Sequence, residues 1–314
     1  MNGSASSSDY TLPVAPATAV ASIMMLSMGS LIAFFANARI CFLLRKRSDL
    51  RKVPHYLFGS LAVNGIFSSL LNLPSRLALT AILLWDIPVS VELACHVLVP
   101  SGFFCNIINA MTLSLMAIDR QDCVLRPFKR RMARDNITKV IAVSWIGTLV
   151  LTSPIIFKSA SQQQFKGCDI VPKISKAEEP IFVYITILSN FSNVASVLII
   201  VVTALRIVKR LRSSPLPESN SHHRRQENKL IWLTYKICVV FLVSKLPILI
   251  YFPVAIFLGN FDHTHVLPNI LVIALLITNV PYVVNPFLFH NMLRPLKDSP
   301  RAGDKRPRDI EMSH

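Results

Sequence analysis

Charge is scarce in this sequence: of 314 residues only 16% are charged, and the 17 acids are outnumbered by 33 bases. An ordinary soluble domain carries about 25% charged residues, so a water-exposed globule of this length is excluded as the first reading. No Cys-x-x-C spacing occurs among Cys41, Cys95, Cys105, Cys123, Cys168 and Cys238, which leaves a zinc or dithiol redox motif without support. Histidine offers no better metal site. Asp262, His263 and His265 in "FDHTH" have no further ligand near them and read as a solvated loop. No cluster of His with Asp or Glu lies inside an apolar run, as an intramembrane hydrolase would need. No two halves of the chain match, as a repeat-built transporter would require. Neither an enzyme, a metal nor a cofactor is expected. The opening "MNGSASSSDYTLPVAPA" lacks a basic stretch, so no cleavable signal peptide is expected and the first apolar run should remain in the protein.

What the sequence does have is apolar length. Hydrophobic residues make up 52% of it, with a mean hydropathy of +0.50. Seven runs can be read at 17–44, 55–85, 91–123, 137–157, 180–208, 230–258 and 266–288. A bilayer core takes roughly 20 apolar residues per helix, so each run is long enough to span. Backbone amides inside lipid must be satisfied within their own segment, which makes every span a helix. Internal Pro74, Pro154, Pro247 and Pro281 are expected to kink or end helices locally. The net charge of +16 is concentrated between the runs, in "RKRSDLRK", "RPFKRRMAR", "KRLRSSPLPESNSHHRRQENK" and the tail "RPLKDSPRAGDKRPRD". With seven spans all four blocks fall on one side, the positive-inside pattern of cytoplasmic loops. The fold class is therefore an all-α membrane protein. An N-terminal tail at 1–16 lies outside, a seven-helix domain covers 17–291, and a tail at 292–314 is cytoplasmic. The bases answer to the bilayer, and a nucleic-acid partner is not expected.

The inner end of the third run reads "SLMAIDRQDCVLRPF", where Asp119 and Arg120 close an apolar helix and Pro127 and Phe128 follow. A single charge there would be a helix end reaching the interface. The order of residues is more specific, and it resembles the Asp-Arg-Tyr junction of rhodopsin-like G-protein-coupled receptors. Further residues carry the same resemblance: Asn37 in "FFANARI", Trp145 in "AVSWIG", Phe241 and Pro247 in the sixth run, and Asn285 and Pro286 in "VVNPFLF". The resemblance implies a seven-helix receptor of the plasma membrane that passes an extracellular signal to heterotrimeric G proteins. It gives Arg120 and Phe128 to the G-protein face, Asp119 as the local partner of Arg120, and Glu227 as its partner across the bundle. It also implies a disulfide between Cys95 and Cys168, and helix-bundle roles for Asn37 and Trp145. Glu227 in "RRQENK" reads equally as a solvated side chain.

Departures from the family pattern are as informative. Gly65 in "LAVNGIF" stands where the family has a sodium-binding Asp, leaving Asn64 and Asn109 as polar neighbours without a carboxylate. Lys245 in "SKLP" stands in place of the toggle Trp, and Phe289 in place of the Tyr after Asn285 and Pro286. These losses leave open a non-signalling or scaffolding receptor. A lysine inside an apolar helix costs at least ~2.5–3.5 kcal/mol on insertion scales. Two readings of Lys245 stand: a bond to polar groups of the bundle such as Asn109 or Asn279, or a cationic ligand contact together with Arg76. The family's amine-binding acid is replaced by Gly102, so the pocket suits an anionic or peptide ligand, small molecule or peptide, better than a biogenic amine. A helix after "NPFLF" is expected to be shortened by Pro295. Of three sequons, Asn2 lies outside and is the glycosylation candidate, whereas Asn136 and Asn190 do not.

Overall fold

The computed structural model describes residues 16–46, 53–74, 77, 91–126, 132, 134–161, 180–213, 221–258 and 266–297. Among them no strand occurs. The helices are α1 Pro16–Lys46, α2 Val53–Phe67, α3 Val91–Leu125, α4 Arg134–Ser161, α5 Pro180–Ser213, α6 Ser221–Leu258, α7 Val266–Thr278 and α8 Val280–Lys297. Six stretches of the described residues are long and apolar enough to cross a bilayer. The second expected span, 55–85, is described to Pro74 and at Leu77.

Helices overrun the apolar runs that announced them. α5 continues to Ser213 and α6 begins at Ser221, so Glu227 lies on a helix. Apolar length marks the bilayer, whereas backbone hydrogen bonding continues beyond it. Arg210 and Arg212 in the last turn of α5, like Arg45 and Lys46 in that of α1, face the negative end of the helix dipole. α8 runs to Lys297 and so passes Pro295, contrary to expectation. One donor missing in a last turn is a small loss, since carbonyls there have few partners in any case.

Pro74 and Pro281 coincide with helix irregularities, whereas Pro154 and Pro247 lie inside the unbroken α4 and α6. Pro74 has no N–H, and its ring crowds the carbonyl one turn back. Just ahead of it α2 widens into a π turn, Ser68–Asn72, which takes up the strain in one extra residue. The seventh span breaks at Asn279, between α7 and α8. Pro281 can give no N–H to a carbonyl four residues back. Tight bonds from Asn279 N to Leu276 O (3.0 Å) and from Tyr282 N to Asn279 O (3.1 Å) bridge the gap. Pro154 instead stays inside α4, where the Ser153 hydroxyl donates to the Val150 carbonyl that the proline leaves bare (2.8 Å).

The packing is inverted relative to a soluble protein. Met24, Met25, Phe35, Phe157 and Phe191 are all more than 60% exposed, while Asn37, Asn64, Asn109, Thr112 and Thr148 are buried. In water such a surface would aggregate; against lipid tails it is the solvated face. α3 is the axis of the bundle and packs against α2, α4, α5 and α6.

Candidate functional site

Polar side chains gather in three layers along α3. The inner one holds the Asp-Arg pair. Arg120 Nε donates to Asp119 Oδ2 at 3.0 Å, and Nη2 donates to the same oxygen. Both side chains are 3% exposed or less, and Gln121 and Asp122 beside them are buried too. Neighbouring Met116 and Ala117 join a core cluster with Leu57 of α2 and with Leu230, Leu233 and Ile237 of α6. A charge is tolerable in such surroundings only when paired, and this pair forms within α3 itself. Phe289 of α8 closes the same end. Its ring lies 4.6 Å from Phe58 and 6.2 Å from His55, both on α2. A phenyl group fits there without a polar partner. Phe128 lies outside the described residues, as does the side chain of Glu227.

The middle layer is built from asparagines. Pro286 has no N–H to offer the Tyr282 carbonyl one turn before it. Asn37 supplies the donor from α1: its Nδ2 lies 3.0 Å from Tyr282 O and 2.7 Å from Ala33 O. The same side chain fills the space beside Gly65, where an added Cβ would lie 2.5 Å from Asn37 Cγ and Nδ2. Gly65 is thus required by contact, and the place of a sodium-binding carboxylate is taken by an amide. Among the described residues no group of three or more His, Cys, Asp or Glu could hold a metal. Asn64 donates across to Cys105 O on α3 (2.9 Å). Asn109, the other residue of the expected polar network, is buried on α3. Trp145 ties α4 to α2 through Nε1 and Ser60 Oγ (3.0 Å), with Ser60 also 3.4 Å from Thr112 Oγ1 of α3.

The outer layer is centred on Lys245. Lys245 is 4% exposed on α6, and its Nζ donates to Asn106 Oδ1, not to Asn109 or Asn279. Asn106 in turn donates to Asn193 Oδ1 on α5 (3.4 Å), so Lys245 joins three helices. The ammonium also lies 5.6 Å from the Phe241 ring centroid, a cation–π distance. Asn279 is engaged elsewhere: its Oδ1 accepts from Asn72 in the π turn (3.4 Å), and its Nδ2 donates to Leu275 O (2.8 Å). The two helix irregularities are therefore joined by one amide pair. Gly102 is half-buried on α3, one turn from Asn106. Arg76, Asn2 and Cys168 lie outside the described residues, as does the side chain of Cys95; Cys41, Cys105, Cys123 and Cys238 form no disulfide among the described residues. Sequence reasoning missed Asn106 and Asn193. The available signal was their isolation as amides in apolar runs that flank Lys245 on neighbouring spans.

The sequence profile of the 7 transmembrane receptors (rhodopsin family) matches residues 36–289. Neuropeptide Y receptor type 2 of Cavia porcellus is 25% identical over 227 residues, covering 69% of this chain and 58% of that protein. The RYamide receptor of Drosophila melanogaster is 25% identical over 236 residues, covering 69% and 49%. 5-Hydroxytryptamine receptor 1D of Cavia porcellus is 26% identical over 185 residues, covering 58% and 48%. The chain spans about half the length of these curated relatives. Matched over most of its length, helical throughout its described spans and polar along its axis, the chain belongs to the rhodopsin family of seven-transmembrane receptors, multi-pass proteins of the plasma membrane and not enzymes.

Proposed function

We propose that this protein is a G-protein-coupled receptor with its N-terminus outside and its tail in the cytoplasm. The observation that carries the reading is the buried Arg120–Asp119 pair at the end of α3, which packs against α2 and α6, with Phe289 of α8 on α2 beside them. An ion pair of this kind is bistable. Closed, it keeps a desolvated charge matched; open, it frees a guanidinium at the mouth of the bundle. A ligand that binds the open arrangement better shifts the population towards it. Glu227, on the first turns of α6, is the second restraint, and Phe128 is the contact for the G protein.

The ligand is a peptide or an anionic small molecule. Gly102 gives an amine no counter-ion, and Lys245 with Arg76 offers positive charge. Two of the three relatives above are named for neuropeptide Y and RYamide, which favours a peptide. A second reading has its own support: Lys245 and Phe289 replace the toggle Trp and the terminal Tyr, so a non-signalling receptor-like protein is the alternative.

Basal activation of the main G-protein classes in cells separates the two. At equal surface expression, wild type is expected to exceed cells without receptor, Glu227→Ala to exceed wild type, and Arg120→Ala to fall to background. Signal that survives Arg120→Ala unchanged would overturn the latch. A silent wild type that is also unmoved by Glu227→Ala would favour the non-signalling reading.

A further inference from the structure

On the lipid side of the bundle, α1 and α8 pack together and leave a groove of about 380 Å³ between them. One wall is formed by two adjacent stripes of α1, Leu31, Phe35 and Arg39 at i, i+4 and i+8, with Ile32, Ala36 and Ile40 beside them. The other is formed by Pro286, Phe287 and His290 of α8. Phe35 and Leu31 are 67% and 62% exposed, so most of the groove is open and apolar. Its polarity is confined to one end. The first and seventh spans run in the same direction, so the later residues of each stripe, Arg39 and His290, share the end nearer the basic loops.

Arg39 is the unusual member. It lies seven residues, on the order of 10 Å, before Lys46 at the end of α1, within the apolar part of the span. It is exposed, and it makes no ion pair among the described residues. A guanidinium at that depth, facing lipid, is costly unless it reaches up to the headgroups or a headgroup anion comes down to it. The bulk lipid tails around it supply none.

We propose that this groove is a binding site for one anionic phospholipid of the leaflet that faces the basic loops. The headgroup phosphate is drawn down to Arg39, which offers it paired N–H donors, with the His290 imidazole beside it. One acyl chain lies along Leu31, Phe35 and Phe287. The occupant is charged because the groove's polar end is cationic, and it is a lipid because the rest of the wall is apolar and open to the bilayer.

The test uses the full-length receptor, purified in detergent and titrated with phosphatidylserine or phosphatidylcholine, with retained lipid counted by native mass spectrometry. The expected result is about one more phosphatidylserine than phosphatidylcholine retained per receptor, with the difference lost in Arg39→Gln and largely kept in Arg39→Lys. Thermal unfolding of each variant without added lipid is expected to match wild type, since Arg39 is exposed. Phe35→Ala is expected to weaken both lipids together. Equal retention of the two lipids by wild type would overturn the proposal, as would an unchanged preference in Arg39→Gln. Efficient disulfide cross-linking of two copies through Phe35→Cys in phosphatidylserine-rich membranes would overturn it too, by giving the groove to a second receptor.

Discussion

Asn106→Leu is expected to destabilise this receptor more than Lys245→Met does, although the lysine bears the charge. Lys245 is buried on α6 and donates to Asn106, which donates onward to Asn193. Removing the amide leaves the ammonium in place with that acceptor gone. A hydrogen bond to a charged group contributes about 1.5–3 kcal/mol, and the burial cost of the ion persists when that bond is lost. Methionine at 245 removes the ion together with its cost. It fills a similar volume, so the residual penalty falls on a neutral amide pair. The double variant Lys245→Met/Asn106→Leu is therefore expected to be more stable than Asn106→Leu alone. Thermal unfolding of the purified variants in detergent checks this. Additive losses in the double variant would show that the two residues act independently and that the lysine meets its cost elsewhere. The same series bears on ligand recognition: a ligand that replaces Asn106 at Lys245 should raise the melting temperature of Asn106→Leu more than that of wild type.

The second large effect is expected at Gly65. An aspartate there would place its Cβ 2.5 Å from the Asn37 amide, a distance that forces one side chain to move. Asn37 cannot move without abandoning the Tyr282 carbonyl, which Pro286 leaves without a helical partner. Overpacking of a filled interior costs about 1–3 kcal/mol, and the lost bond leaves a buried carbonyl unmet for about as much again. Gly65→Ala isolates the steric part. Gly65→Ala with Asn37→Ala should recover some of the loss, because the clash is removed while the bare carbonyl remains. Exchange of sodium for choline is expected to leave the stability of wild type unchanged, since an amide occupies the space of the carboxylate. The decisive outcome against this account would be Gly65→Asp at wild-type stability with a new dependence on sodium. It would mean that Asn37 yields readily and the site can be restored by one residue.

Seven apolar runs, the basic blocks between them and the order of motifs were legible in the sequence because they depend on local composition. Apolar length fixes where a helix meets lipid, and the bilayer leaves the backbone no other structure. Asp119 beside Arg120 is likewise a neighbour relation that one turn of helix satisfies. Helix ends were less legible, because the hydrogen-bond ladder of α5 and α6 outruns the apolar signal that revealed them. The partners of the buried polar groups were not legible at all. Asn109 and Asn279 stood as examples of partners for Lys245, and Asn106 was not among them. The choice fell to helix rotation and tilt, which carry Asn106 to α6 and hand Asn279 to Asn72 of the π turn. Gly65 shows the same division. Its missing carboxylate is written in the sequence, but that Asn37 fills the gap is decided only when α1 and α2 pack, since a contact between helices depends on distances that no single helix contains.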